Sequence, residues 1–179
     1  MRKAQFMAKP NHAGFHNESR KTVQDTCRPA PKGGEDKLRA NQTDSKQLAK
    51  LVMIIWPEHS AEELERIIRE YLGSDDSAVF CESRDGKLVG VALCTLRRDY
   101  VEGCKTSPVG YLEGVSVNER YRRRGIARKL VSECEQWARE KGCCEFASDC
   151  ELANRESLIF HLGVGFQEEN RIICFRKTL

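Results

Sequence analysis

Three consecutive arginines close on a glycine and a small residue in Arg122-Arg123-Arg124-Gly125-Ile126-Ala127. The run follows an apolar stretch that alternates as a strand does, and it precedes a helical period. Backbone N–H groups at a helix N-terminus converge on an anion, and the positive end of the helix dipole favours negative charge. Gly125 lets the chain approach closely, Ala127 avoids a clash, and Arg122, Arg123 and Arg124 add charge suited to phosphates. The same residues also read as a solvated arginine run opening an ordinary helix. Two acids supply a different chemistry. In a strand at 109–117, period two places Tyr111, Glu113, Val115 and Val117 on one face. Glu113 is then a carboxylate in mid-strand, where an unpaired charge is expensive. Asp149 ends a second strand, at 144–149, and is placed to face the same cleft. Carboxylates there suit a cationic amine, since they attract an ammonium and can take its proton. The structural alternative is Glu113 paired with an arginine and Asp149 as a turn or helix-capping residue.

The elements that must position these groups are legible from Lys37 onward. A short strand near Leu38 leads to Thr43 as a helix N-cap, followed by a helix with Leu48, Leu51, Val52 and Ile55 on one face. Ser60-Ala-Glu-Glu63 has capping-box spacing and opens a second helix carrying Leu64, Ile67, Ile68 and Tyr71. Apolar runs at 78–81 and 88–96 flank Asp85-Gly86, a tight-hairpin signal. The strand at 109–117 runs into a long amphipathic helix with Ile126, Leu130, Cys134 and Trp137 on its buried stripe. A strand at 144–149, a helix at about 154–162 and a closing strand at 172–177 complete the order β-α-α-β-β-β-α-β-α-β. This pattern predicts an α/β fold with a mixed, partly parallel sheet flanked by helices.

Bulk properties bound the function. A chain of 179 residues is one domain, 40% hydrophobic and 32% charged, as a soluble enzyme is. No apolar run is long enough to cross a bilayer and no secretory leader is visible, so no membrane partner is expected and the cytoplasm is the default compartment. The nine cysteines include no C-x-x-C pair and no matching histidine spacing. No metal site is expected, and the cysteines read as reduced thiols. Residues 1–36 hold seven Lys/Arg against four Asp/Glu, which accounts for the whole net charge of +3. They read as a flexible basic extension, and residues 37–179 as a neutral folded domain. That neutrality argues against nucleic acid, although a basic RNA-binding module using 120–128 and the extension is the rival class.

In context, Arg122-x-x-Gly125-x-Ala127 resembles the acetyl-CoA pyrophosphate loop of the GNAT superfamily of N-acetyltransferases. The segment Asn154-x-x-Ser157-x-x-x-His161-x-x-x-Gly165-Phe166 is similar to the second signature of that superfamily. His161 stands where many members carry a tyrosine proposed to protonate the leaving thiolate, and an imidazole can serve there. Further segments resemble one subgroup, the aminoglycoside 6'-N-acetyltransferases. They are Leu51–His59 with its Trp56-Pro-Glu-His59, Arg98-Asp-Tyr-Val-Glu-Gly103, Thr106-Ser-Pro-Val109, Leu112-Glu-Gly-Val115 and Glu145-Phe-Ala-Ser-Asp149. The resemblance spans about residues 37–179. It implies a GNAT fold, acetyl-CoA as cosubstrate, an aminoglycoside as acceptor and a homodimer. It further implies that backbone groups of Val115, Ser116 and Val117 hold the pantetheine, beside Asn154 and Ser157. The phosphates fall to Arg122, Arg123, Arg124, Gly125, Ile126 and Ala127. Glu113 and Asp149 would bind and deprotonate the amine, His161 would be the acid, and Trp56, His59 and Tyr100 would line the sugar pocket. Trp56 as a core residue and His59 as a surface residue are the alternatives. A polyamine, an amino acid or a protein amine would suit the same acidic cleft.

Overall fold

The computed structural model describes residues 39–179, so the 1–36 extension and Leu38 lie outside the described residues. Arg39 makes an isolated antiparallel bridge to Phe80. Helix α1 spans Ser45–Val52 and is entered through a 3-10 turn at Gln42–Asp44. The N-cap there is Asn41 rather than Thr43. Asn41 Oδ1 accepts the Thr43 N–H at 2.9 Å, and the Asp44 carboxylate accepts the Asn41 N–H at 3.0 Å. The reciprocal pair satisfies two donors at once, which a threonine alone cannot do. Helix α2, Ala61–Leu72, opens on the expected box, with Ser60 Oγ accepting from Glu63 N at 3.2 Å and Glu63 Oε2 from Ser60 N at 3.1 Å.

Strands β1 (Ser77–Arg84) and β2 (Lys87–Arg97) form an antiparallel hairpin. Asp85 and Gly86 sit at φ 52° and 71°, the paired left-handed conformation that a two-residue turn matched to strand twist requires. Strand β3, Val109–Val117, has the bounds read from the sequence and pairs antiparallel with β2. After helix α3 (Ile126–Glu140), strand β4 (Phe146–Ser148) pairs parallel with β3 over three residues, and helix α4 covers Arg155–Val164. The sheet order is β1-β2-β3-β4, so the mixed, partly parallel sheet expected from the sequence is the one observed.

Two apolar layers hold it. Phe80, Ala92, Cys94, Leu112 and Val117 meet α3 through Ile126, Leu130, Cys134 and Trp137. On the opposite face Val79, Val91 and Leu93 meet Leu48, Val52, Leu64 and Ile68 from α1 and α2. Full burial of one such leucine contributes about 1.5–3 kcal/mol, more than a typical cap. Packing therefore fixes α1, which at eight residues is too short to hold alone.

The closing strand expected at 172–177 is absent. Residues 167–179 carry no helix or strand, and Ile172, Ile173 and Phe175 are exposed. The alternation is real, but a strand exists only by pairing, and the sheet ends at β4.

Candidate active site

The geometry of the site begins with a bulge in β3. Leu93 of β2 faces Gly114 and the next residue, Cys94, faces Leu112, so Glu113 has no partner across the ladder. An extra residue reverses the alternation beyond it. Tyr111 and Glu113 lie on the α1/α2 side, where Glu113 meets Thr95 and its charge is felt by Tyr71. Gly114 lies beneath Ile55, and Ser116 Oγ donates to Leu51 O at 2.7 Å on that same side. Val115 and Val117 have turned to the α3 layer. The four residues expected on one face are thus split two and two, because the regular period does not survive the bulge.

Glu113 is half-buried and fully engaged. Thr95 Oγ1 donates to its Oε1 at 2.6 Å, and Arg97 Nη2 donates to both carboxylate oxygens at 3.0 Å. The Arg97 guanidinium carbon also lies 3.2 Å above the centre of the Tyr111 ring. Burial raises the Tyr111 phenol well above its usual range, and the nearby Asp149 charge raises it further. Burial, then Glu113, does the same to Tyr71. Asp149 itself is exposed, just past β4. The acids are therefore brought to one wall, with Tyr71, Thr95, Arg97 and Tyr111 between and around them.

The segment after α1 and the loop 98–108 flank this wall. Trp56 is partly buried against the α1/α2 layer, next to Ile55 over Gly114. His59 lies 3.6 Å from Glu63 and 3.9 Å from Glu58 at the start of α2. Tyr100 is 80% exposed and donates to Glu102 at 2.8 Å, while its neighbour Val101 packs against Tyr111. Glu145 anchors the loop by accepting Lys105 N at 2.9 Å, Thr106 N at 2.6 Å and Thr106 Oγ1 at 2.5 Å. Those bonds and the Lys105 charge hold its carboxyl below the usual range, against the opposing effect of burial.

From Glu113 the other edge of β3 runs unpaired to Val117, because β4 matches only Gly110, Tyr111 and Leu112. Asn118 N bonds Val89 O across the ladder, so Ser116 turns its backbone groups to Val91 of β2, while Val115 and Val117 turn theirs to the free edge, where an extended ligand can pair. The strand then delivers the chain to the arginine run. Asn118 Oδ1 accepts from Arg120 N, and a 3-10 turn covers Glu119–Tyr121. Arg123 and Gly125 both adopt left-handed backbone, φ 63° and 78°. Helix α3 starts with no side-chain cap and no acid in its first turn, and its first i→i−4 bond is Lys129 N to Gly125 O. The N–H groups of Ile126, Ala127 and Arg128 are thus the unfilled donors of the first turn. Arg122 Nε is turned back onto Val117 O at 3.1 Å, while Arg123 and Arg124 are exposed. Uncapped donors, absent acids and an open strand edge fit a long anionic thioester such as acetyl-CoA.

Across the cleft, Asn154 caps α4, its Oδ1 accepting from Ser157 N at 3.0 Å. His161 Nδ1 lies 2.7 Å from the Ser157 carbonyl, which can only accept, so Nδ1 carries a hydrogen. Its Nε2 lies 2.9 Å from Ser148 Oγ, whose hydroxyl is also 3.0 Å from Leu112 O. Gly165 at φ 111° ends the helix and lets Phe166 pack edge-on to His161 and against Phe146. Sequence reasoning missed Tyr71, Thr95, Arg97, Glu145 and Ser148 as members of this region. An arginine two residues after a threonine in β2 is a visible same-face pair, but its target depends on the β2–β3 register.

Comparison with known proteins bears on the same residues. The model of the acetyltransferase (GNAT) family matches residues 45–166. An aminoglycoside N(6')-acetyltransferase type 1 from Serratia marcescens is 42% identical over 126 residues, covering 70% of this chain and 86% of that protein. The protein of the same name from Salmonella enteritidis is 37% identical over 142 residues, covering 79% and 98%. Among solved structures, AAC(6')-Iy in complex with the bisubstrate analog CoA-S-monomethyl-acetylneamine superposes with a TM-score of 0.76. It is 36% identical and covers 80% of this chain and 98% of that one.

Proposed function

This chain belongs to the acetyltransferase (GNAT) family, and on that premise we propose that it transfers the acetyl group of acetyl-CoA to the 6'-amine of aminoglycoside antibiotics, a modification that confers resistance. One observation carries the reading. The unpaired edge of β3 begins at the carboxylate wall of Glu113 and Asp149 and ends at the uncapped N-terminus of α3. A cationic acceptor and an anionic donor thus have adjoining places along one strand. The similarity to aminoglycoside N(6')-acetyltransferases supports the substrate class.

In this reading the phosphates sit at the loop of Arg122, Arg123, Arg124 and Gly125 and the N–H groups of Ile126 and Ala127. Main-chain groups of Val115 and Val117 align the pantetheine beside Asn154 and Ser157, with Ser116 between them bonded to β2. Acetyl-CoA supplies an activated acetyl thioester. Glu113 and Asp149 draw in the protonated amine and accept its proton, directly or through water, so that the free amine can attack. When it carries a hydrogen on each ring nitrogen, His161 gives the one on Nε2 toward the departing sulfur, which takes it as a thiol, with Ser148 as the contact to the cleft. Trp56, His59 and Tyr100 border the aminoglycoside rings. The catalytic domain is residues 37–179, and residues 1–36 take no part in the chemistry.

We also infer a homodimer, because Ile159, Leu162, Ile172, Ile173 and Phe175 leave apolar surface that a second copy would cover. Light scattering at micromolar concentration measures this. We infer the cytoplasm as the compartment, where buried thiols such as Cys94 and Cys134 stay reduced. No described helix is long and apolar enough to cross a membrane. Product mass spectrometry tests the main reading. Neomycin should gain one acetyl group, at its 6'-amine, and paromomycin, with a hydroxyl there, should gain none. Acetylated paromomycin at a comparable rate defeats the 6' assignment. Acetyl transfer confined to polyamines, amino acids or protein amines defeats the substrate class.

A further inference from the structure

The guanidinium of Arg97 lies in surroundings that a cationic amine would seek. Its Nη2 bonds both oxygens of Glu113 at 3.0 Å, its Nε lies 3.3 Å from Oε1, and its carbon is stacked 3.2 Å above the Tyr111 ring. A carboxylate below and an aromatic face beside are the two ingredients by which proteins hold ammonium groups. Tyr71 and Asp149 border the same place from α2 and from the end of β4.

Two details separate a resident cation from a permanent brace. Arg97 is twice as exposed as the acid it covers, 38% against 19%, so its long side chain has solvent to swing into. Glu113 also has a second holder, because the Thr95 hydroxyl stays bonded to Oε1 at 2.6 Å whether or not the arginine remains. The carboxylate can change cations without losing its orientation.

We propose that Arg97 is a tethered stand-in for the acceptor: it occupies the Glu113–Tyr111 amine site in the free enzyme and is displaced when a cationic acceptor enters. The inference rests on the reading that this wall binds the acceptor amine. It makes Arg97 a specificity-determining residue. An acceptor must outcompete a linked guanidinium, so a monocation binds poorly while a polycation, anchored elsewhere by its other charges, succeeds.

The test is calorimetric titration of R97A, R97K and the double variant R97A/E113Q with neomycin, followed by acetylation kinetics. R97A should bind neomycin roughly three- to tenfold more tightly, the range for losing a partly exposed ion-paired competitor. Its affinity for CoA should stay unchanged. Guanidinium chloride at low millimolar concentration should raise the neomycin KM of R97A without changing kcat, and should leave wild type unaffected. The gain should vanish in R97A/E113Q. A folded R97A with equal or weaker neomycin affinity overturns the proposal, because a structural brace cannot be removed with profit. If R97A does not fold, R97K decides by the same criterion, tighter binding supporting the proposal and unchanged or weaker binding overturning it. A wild type that turns over no aminoglycoside sinks the proposed function. A competent wild type with an unimproved arginine variant sinks this inference alone.

Discussion

Substituting Gly125 separates backbone strain from ligand approach at the start of α3. The residue sits at φ 78°, and a Cβ built there meets nothing within 4 Å, so no clash contributes to the effect on the free enzyme. Strain alone remains: an L-residue in left-handed backbone costs about 1–2 kcal/mol, asparagine less and a β-branched residue more. For a domain of this size each kcal/mol lowers Tm by about 3–5 °C. G125N should therefore melt close to wild type, G125A about 3–10 °C lower, and G125V lower still. Cofactor binding should follow a different rule. If the N–H groups of Ile126 and Ala127 hold phosphate, relaxing the loop to negative φ misaims them, and each hydrogen bond to a charged group lost is about 1.5–3 kcal/mol, or roughly tenfold to a hundredfold in Kd. Valine, which also projects into the approach path, should abolish measurable CoA binding. Differential scanning calorimetry and CoA titration on the three variants decide it. A folded G125V with near-normal CoA affinity would refute the loop as the phosphate site, and a G125A as stable as wild type would refute the strain argument.

Other expectations follow from the same geometry. Asp149→Asn and Glu113→Gln should each lower kcat/KM by roughly 10²-fold, and the double variant should fall short of the product if the two acids serve one proton path; full additivity would assign them separate tasks. Gly110→Ala should destabilise the protein by about 1–3 kcal/mol, since its Cβ would come 2.5 Å from Ala138 and 2.6 Å from Phe146, where β3, β4 and α3 meet; an unchanged denaturation midpoint would contradict that packing. Glu145 has a folded pKa lowered from about 4.5, so its hold on the loop is complete above that value and is lost as pH falls through the lower folded value. The protection of the Lys105 and Thr106 amides, relative to intrinsic exchange at each pH, should fall on acidification in wild type and be low at every pH in E145Q, where equal protection in the two proteins would dismiss the anchor.

What the sequence disclosed was whatever local chemistry decides. The Ser60 and Glu63 box, the Asp85-Gly86 turn and the buried stripe of α3 each depend on residues within a few positions of one another, and each formed as read. At Gly125 the passage from strand to helix was legible as well, while the left-handed backbone of Arg123 and Gly125 came only with the structure. The rest depended on register. A long connection joins β2 to β3, so nothing short-range announces the slip that leaves Glu113 unpaired or the arginine that meets it. Glu113 could be named as a carboxylate needing a partner, but Arg97 could be chosen only with both strands in place. At 172–177 the period was right and the partner was missing, a failure that periodicity cannot report.

The bulge at Glu113 also bears on how such an enzyme can vary over generations. Removing Glu113 or Gly114 would close the bulge and restore plain alternation, with Val115, Ser116 and Val117 kept on the faces they already occupy. The valines would still point at α3 and the hydroxyl at Leu51, and the chain would still enter the phosphate loop in phase. What such a deletion takes away is the carboxylate itself, or the glycine that leaves room for Ile55. Drift through this stretch can therefore exchange side chains one at a time, or drop the extra residue, without disturbing the edge that follows. The strand carries one spare letter, and losing it changes what the site says without shifting the text beyond it.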